Sequence, residues 1–148
     1  MIEVYPISDS GIATAITRLR AGDLVAFPTE TVYGLGADAT NASAVAQIFA
    51  AKRRPEFNPL ISHVASLEAA FEIGKQTPMA TSLANAFWPG PLTLILRRKA
   101  KCPVALLATA GHNKIGLRVP NHKGAQLLLR AFGKPLAAPS ANLSGQIS

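Results

Sequence analysis

The sequence predicts one α/β domain built on a mixed sheet, on three observations. Short apolar runs of strand length alternate with amphipathic helical stretches along the whole chain. Nothing repeats, and no Gly/Ser/Pro-rich or charged linker interrupts the alternation. The 148 residues, 49% of them hydrophobic, match one globular domain or most of one.

The elements follow in order. Ser8 to Arg20 reads as a helix, with Ile12, Ile16 and Leu19 at helical spacing and Gly22 just past its end. Leu24 to Phe27 is a buried strand closed by Pro28. From Thr29 to Gly36, alternation places Thr29, Thr31 and Tyr33 on one face of an extended segment. A second helix starts from an Asn41 or Ser43 cap, buries Val45, Ile48 and Phe49, and is ended by Pro55, which forces Arg54 out of helical geometry. Leu60 to Val64 is a strand, and Leu67 to Ile73 (before Gly74) and Met79 to Phe87 are helices. Trp88-Pro89-Gly90-Pro91 makes a rigid turn into the strand Leu92 to Leu96. Strands at Ile115 to Val119 and Leu136 to Ala138 flank a helix from an Asn121 cap to Phe132.

Composition narrows the function classes. Charged residues make up 16% of the chain, which argues against disorder. No apolar run approaches the ~20 residues that span a bilayer, and the N-terminus lacks a signal-peptide pattern, so a cytoplasmic protein without a membrane partner is the expectation. Cys102 stands alone, and neither His112 nor His122 has a partner at metal-ligand spacing, so no protein metal site is expected. The first 74 residues carry five Lys/Arg against all eight Asp/Glu, a net charge of −3. The remaining residues carry ten Lys/Arg and no acid, a field that attracts phosphate, whether of a nucleotide or of RNA.

Two short runs carry the chemistry. Lys52-Arg53-Arg54-Pro55 puts cations where a helix meets a proline, and Ser140-Ala141-Asn142 puts a hydroxyl and a carboxamide in a turn after a strand. Together they suit a nucleotide triphosphate, although neither G-x-x-x-x-G-K-[ST] nor G-x-G-x-x-G is present. Lys52 and Arg54 serve equally well to cap the helix dipole if read alone. The Thr29/Thr31/Tyr33 face beside Gly34 and Gly36 reads as the wall of a small polar pocket. His63, in an apolar strand, is either a hydrogen-bonded core histidine or a contact to a ligand carboxylate or hydroxyl. Arg118, in an otherwise apolar strand, needs an anionic partner, either a ligand carboxylate or an acid from the first half. Arg97, Arg98, Lys99 and Lys101 read either as a solvated strand end or as a contact to an RNA backbone, without the interleaved aromatics that stack bases.

Five ordered motifs now stand out: Pro28-Thr-Glu-Thr-Val-Tyr-Gly-Leu-Gly36, Lys52-Arg-Arg-Pro55 with Asn58-Pro59-Leu60, Trp88-Pro-Gly-Pro-Leu-Thr93, Leu117-Arg-Val-Pro120 and Pro139-Ser-Ala-Asn-Leu-Ser-Gly145. In this order they resemble the YrdC-type threonylcarbamoyl-adenylate synthases, from about Ile12 to Ser148. The resemblance implies a YrdC/RibB-like twisted mixed sheet flanked by helices. It also implies a reaction in which L-threonine, bicarbonate and ATP give threonylcarbamoyl-AMP and pyrophosphate. That product feeds the modification of adenosine 37 in tRNA through a threonylcarbamoyl-transfer machinery.

By the same resemblance Lys52, Arg54, Ser140 and Asn142 form a tetrad around ATP, which Asn58 and Ser148 also touch. Thr31, His63, Arg118 and the backbone at Ala138 hold threonine, and Mg²⁺ steadies the departing pyrophosphate. Lys114 stands where relatives often carry a threonine near the nucleotide. The domain, residues 1–148, is expected to be truncated, because family members continue with a further serine for threonine and an arginine for ATP. Two rivals remain: a carbamoyl-adenylate-forming domain of a hydrogenase-maturation protein, and a double-stranded RNA or tRNA-binding module without catalysis.

Overall fold

A computed structural model describes residues 3–142. The chain forms α1 (Asp9–Arg20), β1 (Val25–Phe27), β2 (Gly34–Asp38), α2 (Ala42–Lys52), β3 (Ile61–His63), α3 (Leu67–Ile73), α4 (Pro78–Phe87), β4 (Leu94–Arg97), β5 (Lys114–Arg118), α5 (Lys123–Phe132) and β6 (Leu136–Ala137). One 3₁₀ turn, Leu106–Thr109, precedes β5. The expected mixed sheet is present, six strands in the order β1-β2-β6-β3-β5-β4. Neighbours are antiparallel except β3 and β5, which run parallel.

Helices cover both faces. Against one face, Val45, Ile48 and Phe49 of α2, Phe71 and Ile73 of α3, and Ala80 and Ala84 of α4 pack on Leu94, Leu96, Ile115 and Leu117. On the other, Leu19 of α1 and Leu128, Leu129 and Phe132 of α5 pack on Phe27, Leu136 and Ala138. That second cluster covers the β1-β2-β6 half of its face. Over β3, β5 and β4 the same face has no helix among the described residues, and Ile95 in mid-strand is 64% exposed.

Local chemistry sets the helix boundaries. Ser8, Asn41, Ser66 and Thr77 each cap the helix that follows by accepting a backbone N–H. Three expectations are corrected. First, α2 is closed by Arg53, not by Pro55. Arg53 takes a left-handed φ of 52°, and the Arg54 N–H reaches back to the Phe49 carbonyl at 3.0 Å. This closing turn normally recruits glycine, and Pro55 merely follows it. Secondly, residues 29–33 form a bend rather than a strand, and β2 begins only at Gly34. Thirdly, α5 is capped by His122 and not by Asn121. The His122 Nδ1 accepts from the N–H groups of Gly124 at 3.0 Å and Ala125 at 3.3 Å.

Since His122 satisfies two otherwise orphaned donors, His122→Ala should lower stability by about 1 kcal/mol in urea unfolding, and His122→Asn should recover most of it. An alanine variant as stable as the parent would refute the cap.

Candidate active site

The first group of predicted residues gathers where α2 ends beside the strand extension after β6. Lys52 is the last residue of α2 and only 3% exposed. Its Nζ donates to the Ser140 carbonyl and lies 3.4 Å from the Ser140 Oγ. Ser140 is fixed by a bridge to Gly34, and the neighbouring Ala141 N–H donates to the Tyr33 carbonyl at 2.9 Å. Arg54 turns the other way, its Nε donating to the Asn58 carbonyl at 3.3 Å and its Nη2 to the Pro59 carbonyl at 2.9 Å. Asn142 follows two residues after Ser140. Among the described residues neither cation forms a salt bridge. Burial pushes the Lys52 pKa below the usual lysine range, and the nearby Arg54 charge adds to that. Burial also lowers Arg54.

The second group surrounds Arg118. The open question of its partner is answered by an acid from the first half. Glu30 pairs with Nη2, while its second oxygen accepts from the Asn121 N–H at 2.7 Å. The turn 88–91 contributes too: the Gly90 carbonyl accepts from Arg118 Nε at 3.1 Å, and the Gly90 N–H donates to Val119 at 2.8 Å. Nη1 has no hydrogen bond among the described residues. Thr31 Oγ1 is 3.4 Å from Nη2 and 3.0 Å from Thr29 Oγ1. Tyr33, by contrast, is 61% exposed, so the three hydroxyls do not share one pocket wall.

His63 is the register partner of Arg118 across β3 and β5. Burial pushes its pKa down to about 4, and the Arg118 charge reinforces that. Its Nδ1 lacks a hydrogen-bond partner among the described residues, and its ring meets the edge of Phe27 at 5.8 Å between centroids. His63 is therefore buried, neutral and unsatisfied, not a fully bonded core histidine.

The strand residues of both groups lie on the same sheet face, and Lys52 reaches Ser140 from the end of α2, which packs on the opposite one. Paired residues share a face and alternate residues swap it. The registers Ile61↔Gly116, His63↔Arg118, Ile95↔Gly116 and Arg97↔Lys114 therefore put these residues together on the bare side. Ala138 joins them through its N–H to the Ile61 carbonyl at 3.0 Å. Because β6 runs against β3 and β5, Ser140 lies toward the Lys114 end, and Arg118 and His63 lie at the other. The result is a cleft floor, with hydroxyl and lysine at one end and arginine and histidine at the other.

Sequence reasoning missed Glu30, which alternation had turned away from the Thr31 face. Arg98 is another departure: it is half-buried, donating to Thr109 Oγ1 at 3.1 Å and to the Val104 carbonyl at 2.5 Å, and so is no solvated strand end. Ser148 lies outside the described residues. A cavity of about 710 Å³ opens elsewhere, between α3 and α5, and none of the predicted site residues lines it. Among the described residues no three His, Cys, Asp or Glu side chains are grouped to hold a metal ion, and no helix is long and apolar enough to cross a membrane.

The chain is similar to known proteins over most of its length. The family model Sua5/yciO/yrdC, described as telomere recombination, matches residues 17–148. A threonylcarbamoyl-AMP synthase of Pyrococcus abyssi is 48% identical over 143 residues, covering 96% of this chain and 42% of the relative. One from Bacillus subtilis is 49% identical over 144 residues, covering 95% and 41%. This chain therefore spans about two fifths of the length of these curated relatives. Among solved structures, P. abyssi Sua5 complexed with L-threonine superposes with a TM-score of 0.89 at 46% identity, covering 99% of this chain and 42% of that one.

The His63 environment predicts a pH dependence of stability. The unfolded histidine titrates near 6.5 and the folded one near 4, so between these values the unfolded chain binds the additional proton. The His63 contribution to stability, roughly 3 kcal/mol, should be lost as pH drops across that window. His63→Gln should remove the slope in urea unfolding measured across pH, and an unchanged slope would refute the assignment.

Proposed function

The chain belongs to the Sua5/YciO/YrdC family, and on that premise we propose that it carries the synthase site for L-threonylcarbamoyladenylate. One observation carries the reading: a lysine almost wholly buried, without a carboxylate among the described residues, faces a serine hydroxyl on an open sheet face. An unpaired buried cation is costly, and an anionic ligand offsets that cost. The identity to synthases over nearly the whole chain supports the choice of ATP as that ligand.

Lys52 and Arg54 draw the phosphates, and the hydroxyl of Ser140 and the amides of Asn142 and Asn58 orient them. Ser148 keeps its proposed place at the nucleotide. Threonine enters at the other end. Its carboxylate takes the Nη1 of Arg118, the donor that Glu30 leaves open, while Thr31, neutral His63 and the Ala138 backbone fix the rest. The titration of His63 far below neutrality means that it adds no second charge beside Arg118 at pH 7.

In the reaction the threonine amine adds to bicarbonate with loss of water, giving a carbamate. A carbamate oxygen then bonds to the α-phosphorus as the bond to the bridging oxygen breaks, and pyrophosphate leaves with that electron pair. Cations placed where this charge develops lower the barrier. Mg²⁺ has no protein cage among the described residues, so it would arrive on the phosphates of the nucleotide. The mixed anhydride is a reactive acyl donor, which fits consumption by a transferase acting on tRNA in the cytoplasm.

Pyrophosphate release should require ATP, threonine and bicarbonate together in a chain extended to the length of its relatives and fail in these 148 residues alone, with the full-length B. subtilis relative as the positive control. Lys52→Ala should cost about 10²-fold or more in rate at unchanged melting temperature. A chain that binds neither ATP nor threonine would overturn the reading, and salt-sensitive RNA binding that survives Lys52→Ala would favour the basic half as an RNA-binding module.

A further inference from the structure

The cavity between α3 and α5 takes no part in the reading above. It lies off one end of the sheet, where β2 and β3 finish and β6 begins, and encloses about 710 Å³. Its inner wall is apolar, made by the buried Val64, Ile73, Leu129 and Pro135 with the half-buried Ala69. Three exposed cations line it as well: Lys101 from the loop after β4, Arg130 from the last turn of α5, and Lys134 just past that helix. Glu72 is the only acid among the described residues that line the cavity, and no acid follows it in the sequence. Neither Lys101 nor Arg130 forms a salt bridge among the described residues, and Arg130 donates to the uncharged Gln126 Oε1 at 3.4 Å. Lys134 reaches Asp38 at 3.6 Å, outside the lining, and the other oxygen of Asp38 already accepts from the N–H and hydroxyl of Thr40.

We propose that this cavity is a second ligand site, separate from the cleft, for a small anion that carries an apolar body. The negative group rests on Lys101, Arg130 and Lys134, and the body lies against the wall of Val64, Ala69, Ile73 and Leu129. Cations from separate segments that converge without matching acids repel one another, and an anion between them removes that repulsion. Charge alone is not enough at a rim open to water, where salt screens it. A bare inorganic ion would leave the apolar wall wet, and a neutral apolar molecule would leave the cations unmatched. A molecule with both parts satisfies both, and the volume lies within the range of small-molecule sites. Glu72 on the α3 wall disfavours a polyanion, so this ligand differs in class from a nucleotide triphosphate. The inference stands whether or not the cleft takes ATP.

The test uses two probes in fluorescence and calorimetric titrations: anilinonaphthalene sulfonate, and phenylnaphthylamine, the same ring system without the sulfonate. This chain should bind the sulfonate at a single site, about tenfold more tightly than the amine. Saturating sulfonate should raise the melting temperature, as a ligand of the native state does. Lys101→Ala combined with Arg130→Ala, both at exposed positions, should reduce the sulfonate to the affinity of the amine. The melting temperature of the unliganded double variant should stay within a few degrees of the parent. Ala69→Leu, which keeps helix propensity and fills the wall, should weaken both probes several-fold. Lys52→Ala should leave both probes bound as before. Equal affinity for the two probes, or a double variant that binds the sulfonate like the parent, would overturn the proposal. So would loss of the probe on Lys52→Ala, which would place it in the cleft. A melting temperature lowered by the sulfonate would mark binding to the unfolded chain and have the same force. A chain extended to the length of its relatives that takes up no probe would show the cavity filled by the protein itself, and the proposal would fall.

Discussion

A lysine ammonium removed from water must be solvated by something, and in this chain the solvating groups are the carbonyl and hydroxyl of one serine. Much of the surrounding structure exists to make that possible. The left-handed Arg53 stops α2 at the residue that leaves Lys52 pointing inward. The strand extension after β6 is held against Gly34, so that Ser140 stands opposite. The loop 54–59 is tied down by Arg54 itself. The arrangement binds a cation with dipoles only and leaves its full charge available.

At the other end of the same face the electrostatic solution is different. Arg118 is neutralised by Glu30, and the pair is built from the 28–33 bend, the 88–91 turn and the end of β5. One site thus contains an unneutralised cation and a neutralised one. The unneutralised lysine suits a polyanion. The arginine, with one amino group still open, suits a single carboxylate that shares it with Glu30. The polarity of the cleft follows from this difference and from the parallel pairing of β3 with β5, which lines up His63 with Arg118.

How much of this was legible in the sequence depends on the distance over which each signal acts. Helix α3 was read to the residue with Gly74 as its local stop, and its Ser66 cap emerges in the structure. Lys52, Arg54 and Ser140 were read as suited to a nucleotide triphosphate, and the structure brings Lys52 and Ser140 together from 88 positions apart. The left-handed turn at Arg53 was not legible, since an arginine side chain carries no sign of it. Glu30 was hidden because residues 29–33 bend, and strand alternation assigns the wrong face to a bend. The His122 cap was not legible, because Asn121 beside it is the residue type that N-caps favour. The strand order was beyond local reading, because β6 has two residues and its position depends wholly on tertiary pairing.

That strand order has a consequence for how the molecule is made. β6 is the last strand among the described residues, yet it lies between β2 and β3 in the middle of the sheet. During synthesis β1 and β2 can form a hairpin, and β3, β4 and β5 can assemble around their helices. The two halves have no direct sheet contact until the final strand slides between them. Such late, sequence-distant closure makes folding slow relative to its local steps and leaves two unpaired edges exposed meanwhile. The same insertion delivers Ser140 to Lys52, so completion of the sheet and formation of that contact are one event. A nascent chain that stops short of β6 therefore lacks both a joined sheet and the contact between Lys52 and Ser140.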